Sequence, residues 1–113
     1  PYDLSKNIEI VKKYVKDPLV HNRISLKMFS EVNKAIDQIE KDCKKINIPT
    51  LLIHGKKDKI ISFEGTENIS KKINNSKFIL YKNIYHEPHN DLEKNKVMDD
   101  YSNFIKKNID LNL

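Results

Sequence analysis

Thr50-Leu51-Leu52-Ile53-His54-Gly55-Lys56-Lys57-Asp58 is the stretch whose reading decides the fold. Its first half is nearly continuous in apolar character, as in a strand covered on both faces. Pro49, directly before it, breaks the preceding helix. Gly55-Lys56-Lys57-Asp58 is a turn. A second short apolar run, Lys77-Phe78-Ile79-Leu80-Tyr81, follows. Between the two runs, residues 63–73 form a helix, with Ser62 as its cap and Asn74-Asn75 as its stop. Strand, helix, strand is a βαβ unit, so the two strands are expected to be parallel and joined by a right-handed crossover. After a loop over residues 83–90, a last helix is expected at 91–107. It places Val97, Tyr101, Phe104 and Ile105 on one face. Asn90-Asp91 is the expected cap, with acids in the first turn where the helix dipole favours them.

Two helices precede the first strand. Ile8, Val11 and Val15 recur at helical spacing over residues 5–16, with Ser5 as the candidate cap and Asp17-Pro18 as the stop. Residues 25–45 carry a longer stripe of Phe29, Val32, Ile36, Ile39 and Cys43, continued by Ile46 just beyond. Cys43 lies on that stripe and reads as core packing, not as a reactive thiol. The order is therefore α-α-β-α-β-α, an α/β architecture. Two parallel strands do not make a stable sheet by themselves. The chain also starts at Pro1. Both observations lead to the expectation of a longer chain, with an N-terminal part missing here that completes the sheet.

The 113 residues suffice for one domain at most, and 38% apolar with 33% charged residues excludes a disordered chain. No apolar run approaches a membrane span, and no apolar segment opens the chain. A cytoplasmic or membrane-peripheral location is the expectation. Gly55 and Gly65 are the only glycines. Glycine-rich dinucleotide loops, phosphate loops and the G-x-S-x-G nucleophile elbow are thus all excluded from this stretch. The net charge of +5 comes from scattered lysines with Arg23 as the sole arginine, a poor footprint for nucleic acid. The lysine pairs read as solvated faces, with a loose preference for an anionic lipid surface.

In doubly wound sheets chemistry collects beyond the carboxyl ends of the strands. After the first strand that rule selects His54, Gly55 and Asp58. After the second it selects Tyr85, His86, Glu87, His89 and Asn90. Asp58 and His86 can meet there although 28 residues apart in sequence. A carboxylate against an imidazole fixes its tautomer and stabilises the imidazolium when the other nitrogen takes a proton. Taken singly, Asp58 is a turn former and His86 a polar loop residue; their joint placement makes them the candidate catalytic pair. His54 and His89 near them raise the question of zinc, but the spacing fits no compact metal motif. No metal and no cofactor are expected, and His21 reads as a structural histidine.

Three segments carry a family resemblance. Ile53-His54-Gly55-Lys56-Lys57-Asp58-Lys59-Ile60 resembles the H-G-x-x-D turn after the penultimate strand of α/β-hydrolases. Tyr85-His86-Glu87, followed by Asn90-Asp91 and a helix, resembles their final motif. Asp17-Pro18-Leu19-Val20-His21-Asn22-Arg23-Ile24-Ser25 is similar to the stretch that ends the cap in the monoacylglycerol lipase and lysophospholipase branch. The order Asp then His matches that of the α/β-hydrolase triad, whose serine comes first.

The resemblance implies the C-terminal part of a doubly wound α/β-hydrolase fold. Residues 1–24 would be the end of the cap region with a short helix, and residues 25–113 the C-terminal part of the core. It implies His86 as general base and then acid, Asp58 as its orienter, and Gly55 as the residue that permits the tight turn. The serine and the oxyanion hole would lie upstream, so this chain alone is expected to be inactive. The implied activity is hydrolysis of carboxylic esters of monoacyl lipids, a lysophospholipid or a monoacylglycerol, through an acyl-enzyme. The partners implied are that lipid, the missing N-terminal part and a membrane surface contacted peripherally. The alternatives are a soluble esterase or peptidase of the same fold, and a non-catalytic α/β binding module. A binding module of the response-regulator type would show clustered acids after the first strand, and none are there.

Overall fold

Alternation of apolar strands with amphipathic helices builds the order α1 (Ile8–Lys16), α2 (Leu26–Asp42), β1 (Thr50–Gly55), α3 (Phe63–Lys72), β2 (Ser76–Tyr81) and α4 (Lys94–Asn108). Single 3-10 turns sit at Cys43–Lys45 and Pro88–Asn90. The computed structural model describes residues 1–109. The two strands pair in parallel, from Thr50 opposite Ser76 to Gly55 opposite Tyr81. The register brings both carboxyl ends level, so the loops that follow emerge side by side.

α3 packs on both strands. The core centres on Tyr81, Ile84 and Val97, with Ile53, Ile79 and Tyr101 packed against it. Both β1 and β2 are only half-buried over most of their length. Continuous apolar runs predict fuller cover than a two-stranded sheet, with α3 on the His54 face and α4 on the Ile53, Ile79 and Tyr81 face, supplies.

Three local expectations need correction. The first helix is capped by Asn7, whose Oδ1 accepts the Glu9 amide at 3.2 Å. Ser5 is instead buried, and its hydroxyl donates to the Asn90 carbonyl at 2.9 Å. The last helix begins at Lys94, after a 3-10 turn. Asp91 does not cap it with its side chain, because that carboxylate is engaged elsewhere. The stripe on α2 is uncovered: Phe29 is 59% and Ile36 51% exposed. Only Cys43, beyond the helix end, is buried as expected, its thiol facing the Glu40 carbonyl at 3.7 Å. α3 comes to this end of α2 through Lys72 Nζ on the Glu40 carbonyl at 3.4 Å.

Gly55 has a different reason from the expected one. Its φ is not positive. A Cβ there would overlap the carbonyl oxygens of Tyr85 and Ile84. The close approach lets Lys57 N donate to the Ile84 carbonyl at 3.0 Å and Lys56 N to the Tyr81 carbonyl at 2.8 Å. Glycine is needed so that the two strand-end loops can lie against each other.

Candidate active site

Asp58 stands three residues past the end of β1, and its loop is closed by its own side chain. Oδ1 accepts the amides of Ile60 at 2.7 Å and Ile61 at 3.1 Å, the pattern of an Asx turn. The other oxygen is thereby aimed back across the strand ends. His86, on the loop after β2, meets it: His86 Nδ1 lies 2.8 Å from Asp58 Oδ2. The Asp58 side chain is 2% exposed and that of His86 is 30% exposed. One partner is sealed and the other opens to solvent.

Protonation follows from the geometry. An ionised carboxylate only accepts, so Nδ1 of His86 carries a proton, and in the neutral ring the lone pair is on Nε2. Burial pushes the Asp58 carboxyl up, but the hydrogen bonds from His86, Ile61 and Ile60 outweigh it, and its pKa lies below the ordinary aspartate value. The pair thus holds an ionised acid against the Nδ1 proton, and in the neutral ring the outward nitrogen is open to accept a proton.

His86 is held by contacts that sequence reasoning missed. Asp91, one of the most buried side chains, accepts the Tyr85 amide at 3.0 Å, the Lys6 amide at 3.3 Å and the Leu92 amide at 2.6 Å. Glu87 N donates to the Leu4 carbonyl at 2.8 Å. Residues 4–7 and 85–91 are therefore stapled together around the histidine. The one sequence signal for this role was an acid at the expected start of the last helix, read there as part of its cap.

The remaining candidates fall apart from the pair or beside it. His54 joins the site, with Nε2 3.1 Å from Asp58 Oδ2. His89 is exposed. His21 is exposed too; its Nδ1 accepts the Arg23 amide at 3.3 Å. It borders an open groove lined by Leu4, Tyr14, Val15, Val20 and Ile60. Among the described residues no three His, Cys, Asp or Glu side chains gather as a metal site. No helix there is long and apolar enough to cross a membrane.

Parallel strands whose carboxyl ends deliver an acid and then a histidine, with a helix after each, form the C-terminal portion of an α/β-hydrolase fold. The solved monoacylglycerol lipase of Paleococcus ferrophilus superposes on this chain with a TM-score of 0.89 at 28% identity, covering 96% of this chain and 44% of that one. Residues 1–93 match the family model of the serine aminopeptidases S33, and the chain belongs to that family. It is 31% identical to a monoglyceride lipase homolog of Monkeypox virus, over 93% of this chain and 40% of the relative. It is 27% identical to the monoacylglycerol lipase of Mycolicibacterium smegmatis, over 90% of this chain and 38% of the relative. The chain thus spans less than half the length of these relatives. Within the family it falls in the monoacylglycerol lipase branch.

Proposed function

We propose that Asp58 and His86 are the acid and the base of a serine ester hydrolase acting on monoacyl lipids, with the nucleophile supplied by residues outside this stretch. The observation that carries the reading is the 2.8 Å contact between a buried carboxylate and a half-exposed imidazole. His86 Nε2 takes the serine proton as the hydroxyl attacks the ester carbonyl. Asp58 holds the Nδ1 proton and stabilises the imidazolium. His86 then returns the proton to the leaving alcohol, and water repeats the sequence on the acyl-enzyme. None of the serines in this chain lies in an elbow sequence. The 113 residues alone therefore have no nucleophile and are expected to be inactive.

The lipid substrate is supported by the branch to which the named relatives belong and by the groove beside the site. Leu4, Tyr14, Val15, Val20 and Ile60 give that groove an apolar lining suited to an acyl chain. Residues 1–24 supply most of it, which fits the end of a cap lying over the site. The choice between a phosphate-bearing and a neutral head group rests on residues beyond this stretch.

The experiment is a substrate profile of the complete protein containing this stretch, beside His86→Ala. Long-chain monoacylglycerols and lysophospholipids should outrank short soluble esters and aminoacyl peptides. A preference for peptides or short esters removes the lipid assignment. Unchanged turnover in His86→Ala removes the mechanism.

A further inference from the structure

We propose that His54 is a positioning residue for the Asp58–His86 pair, acting as a second histidine that donates from Nε2 to the same carboxylate oxygen. The inference rests on the function proposed above and adds to it a residue that sets the strength of the acid–base contact. His54 is the penultimate residue of β1, and its side chain is 11% exposed. Both ring nitrogens are engaged. Nε2 faces Asp58 Oδ2 at 3.1 Å and the Ile61 carbonyl at 3.2 Å. Nδ1 faces the Thr66 hydroxyl of α3 at 2.9 Å.

The tautomer follows. Both groups facing Nε2 are acceptors, so Nε2 carries the proton in a shared hydrogen bond. Nδ1 then has the lone pair, and the Thr66 hydroxyl donates to it. Every polar atom of the ring is satisfied without charge.

The consequence falls on Asp58. Its carboxylate receives four donors: Ile60 N and Ile61 N on Oδ1, His86 and His54 on Oδ2. That fills the roughly four lone-pair sites a carboxylate offers. Oδ1 is fixed by the turn, and His54 fixes Oδ2, so the carboxylate cannot rotate away from His86. His54 also draws electron density from the oxygen that must stabilise the His86 imidazolium. A weaker acceptor there keeps His86 a readier proton donor to the leaving alcohol. His54 and His86 both face Asp58 Oδ2, and no lysine or arginine pairs with it among the described residues. The flanking Lys59 reaches to Asp3 at 3.7 Å, and Lys57 is exposed. On α3, Glu67 pairs with Lys71 at 2.9 Å, and on the histidine loop Glu87 accepts from Asn90 at 2.9 Å.

The test uses the complete protein with His54→Leu and His54→Gln, beside wild type and His86→Ala. Leu removes the donor; Gln carries an amide donor near the position of Nε2. In His54→Leu the acid limb of kcat/KM against pH should move up by about half a pH unit, because the freed oxygen holds the imidazolium more firmly. kcat should fall about three- to tenfold with KM little changed. His54→Gln should bring the limb back toward wild type. A role limited to holding the fold would leave the limb in place or, by loosening the contact, move it down; either result overturns the proposal. Ring-nitrogen NMR of the histidines in the wild-type protein decides independently of turnover and of how the variants fold. His54 as the neutral tautomer protonated on Nε2 supports the proposal, and the other tautomer or an imidazolium at neutral pH overturns it. Absence of ester hydrolysis in wild type, or full activity in His86→Ala, counts against the proposed function alone, since the NMR result still stands.

Discussion

The Asp91 carboxylate accepts the backbone amide of Tyr85 at 3.0 Å, one residue before His86. The His86 loop is thus held by a carboxylate that makes no hydrogen bond to the imidazole. The same oxygen takes the Lys6 amide at 3.3 Å, so that hold depends on the N-terminal segment as well. Asp91→Ala strips three amides of their acceptor inside a buried site. We expect a stability loss of about 1–3 kcal/mol for each amide left without a partner, reduced where water enters. Urea unfolding measures the loss. Turnover of the complete protein should fall more steeply than for a surface substitution such as Lys82→Ala.

Asp58→Asn keeps the shape of the acid and changes its hydrogen-bonding. An amide nitrogen facing His86 would favour the tautomer with its proton on Nε2, the wrong nitrogen for a base. Turnover should drop about a thousandfold or more, comparable to His86→Ala. A drop smaller than tenfold would show that the pair does not carry the chemistry.

Acid stability should depend on Asp58 in a definite direction. Its folded pKa lies below the ordinary aspartate value. The folded state therefore favours the ionised form, and the resulting stability is fully present above the unfolded pKa of about 3.9. It fades as pH falls below that value and is gone once pH passes beneath the folded pKa. The stability of wild type should thus fall more steeply through this acid window than that of Asp58→Asn. Urea midpoints across the window read the difference; parallel curves would contradict it.

The two glycines should respond oppositely to alanine. At Gly55 an added Cβ meets the backbone of Ile84 and Tyr85, which cannot swing aside, whereas at Gly65 it meets nothing. Gly55→Ala should cost about 2 kcal/mol or more through displaced backbone. Gly65→Ala, in the first turns of α3, should gain about 0.5 kcal/mol from reduced chain entropy. Thermal denaturation of both variants checks the pair of signs.

What the sequence disclosed was what short-range pattern encodes. Two apolar runs with a helical period between them give parallel strands, and the residues just past each run are then neighbours. Asp58 and His86 follow from that placement. Asp91, Ser5 and Gly55 follow from nothing local. Each is defined by a partner far along the chain: Ser5 by Asn90, Gly55 by Ile84 and Tyr85. Asp91 was legible as a helix cap because acid before helix is the commoner pattern, and its buried engagement with Lys6 is invisible without the fold. His54 shows a related limit. Strand alternation puts it on one face, but only the packed α3 reveals that Thr66 is there to settle its tautomer. On α2 the period was legible and its cover was not, since a stripe says which side is apolar and nothing of what lies on it.

The staple between residues 4–7 and 85–91 has a consequence for timing. It closes a ring through nearly the whole described chain, joining Ser5 to Asn90 across 85 positions. Contacts of such long span form after the local βαβ unit, because the chain must first be brought round. The strand pairing and Asp58's own turn can thus be complete while His86 is still unplaced. In hydrogen exchange the amides of Lys6, Tyr85 and Glu87, all held by that staple, should open together and ahead of those linking β1 to β2. Placement of His86 becomes the last event of folding and the first to be undone, so mild stress should part His86 from Asp58 before the strands separate.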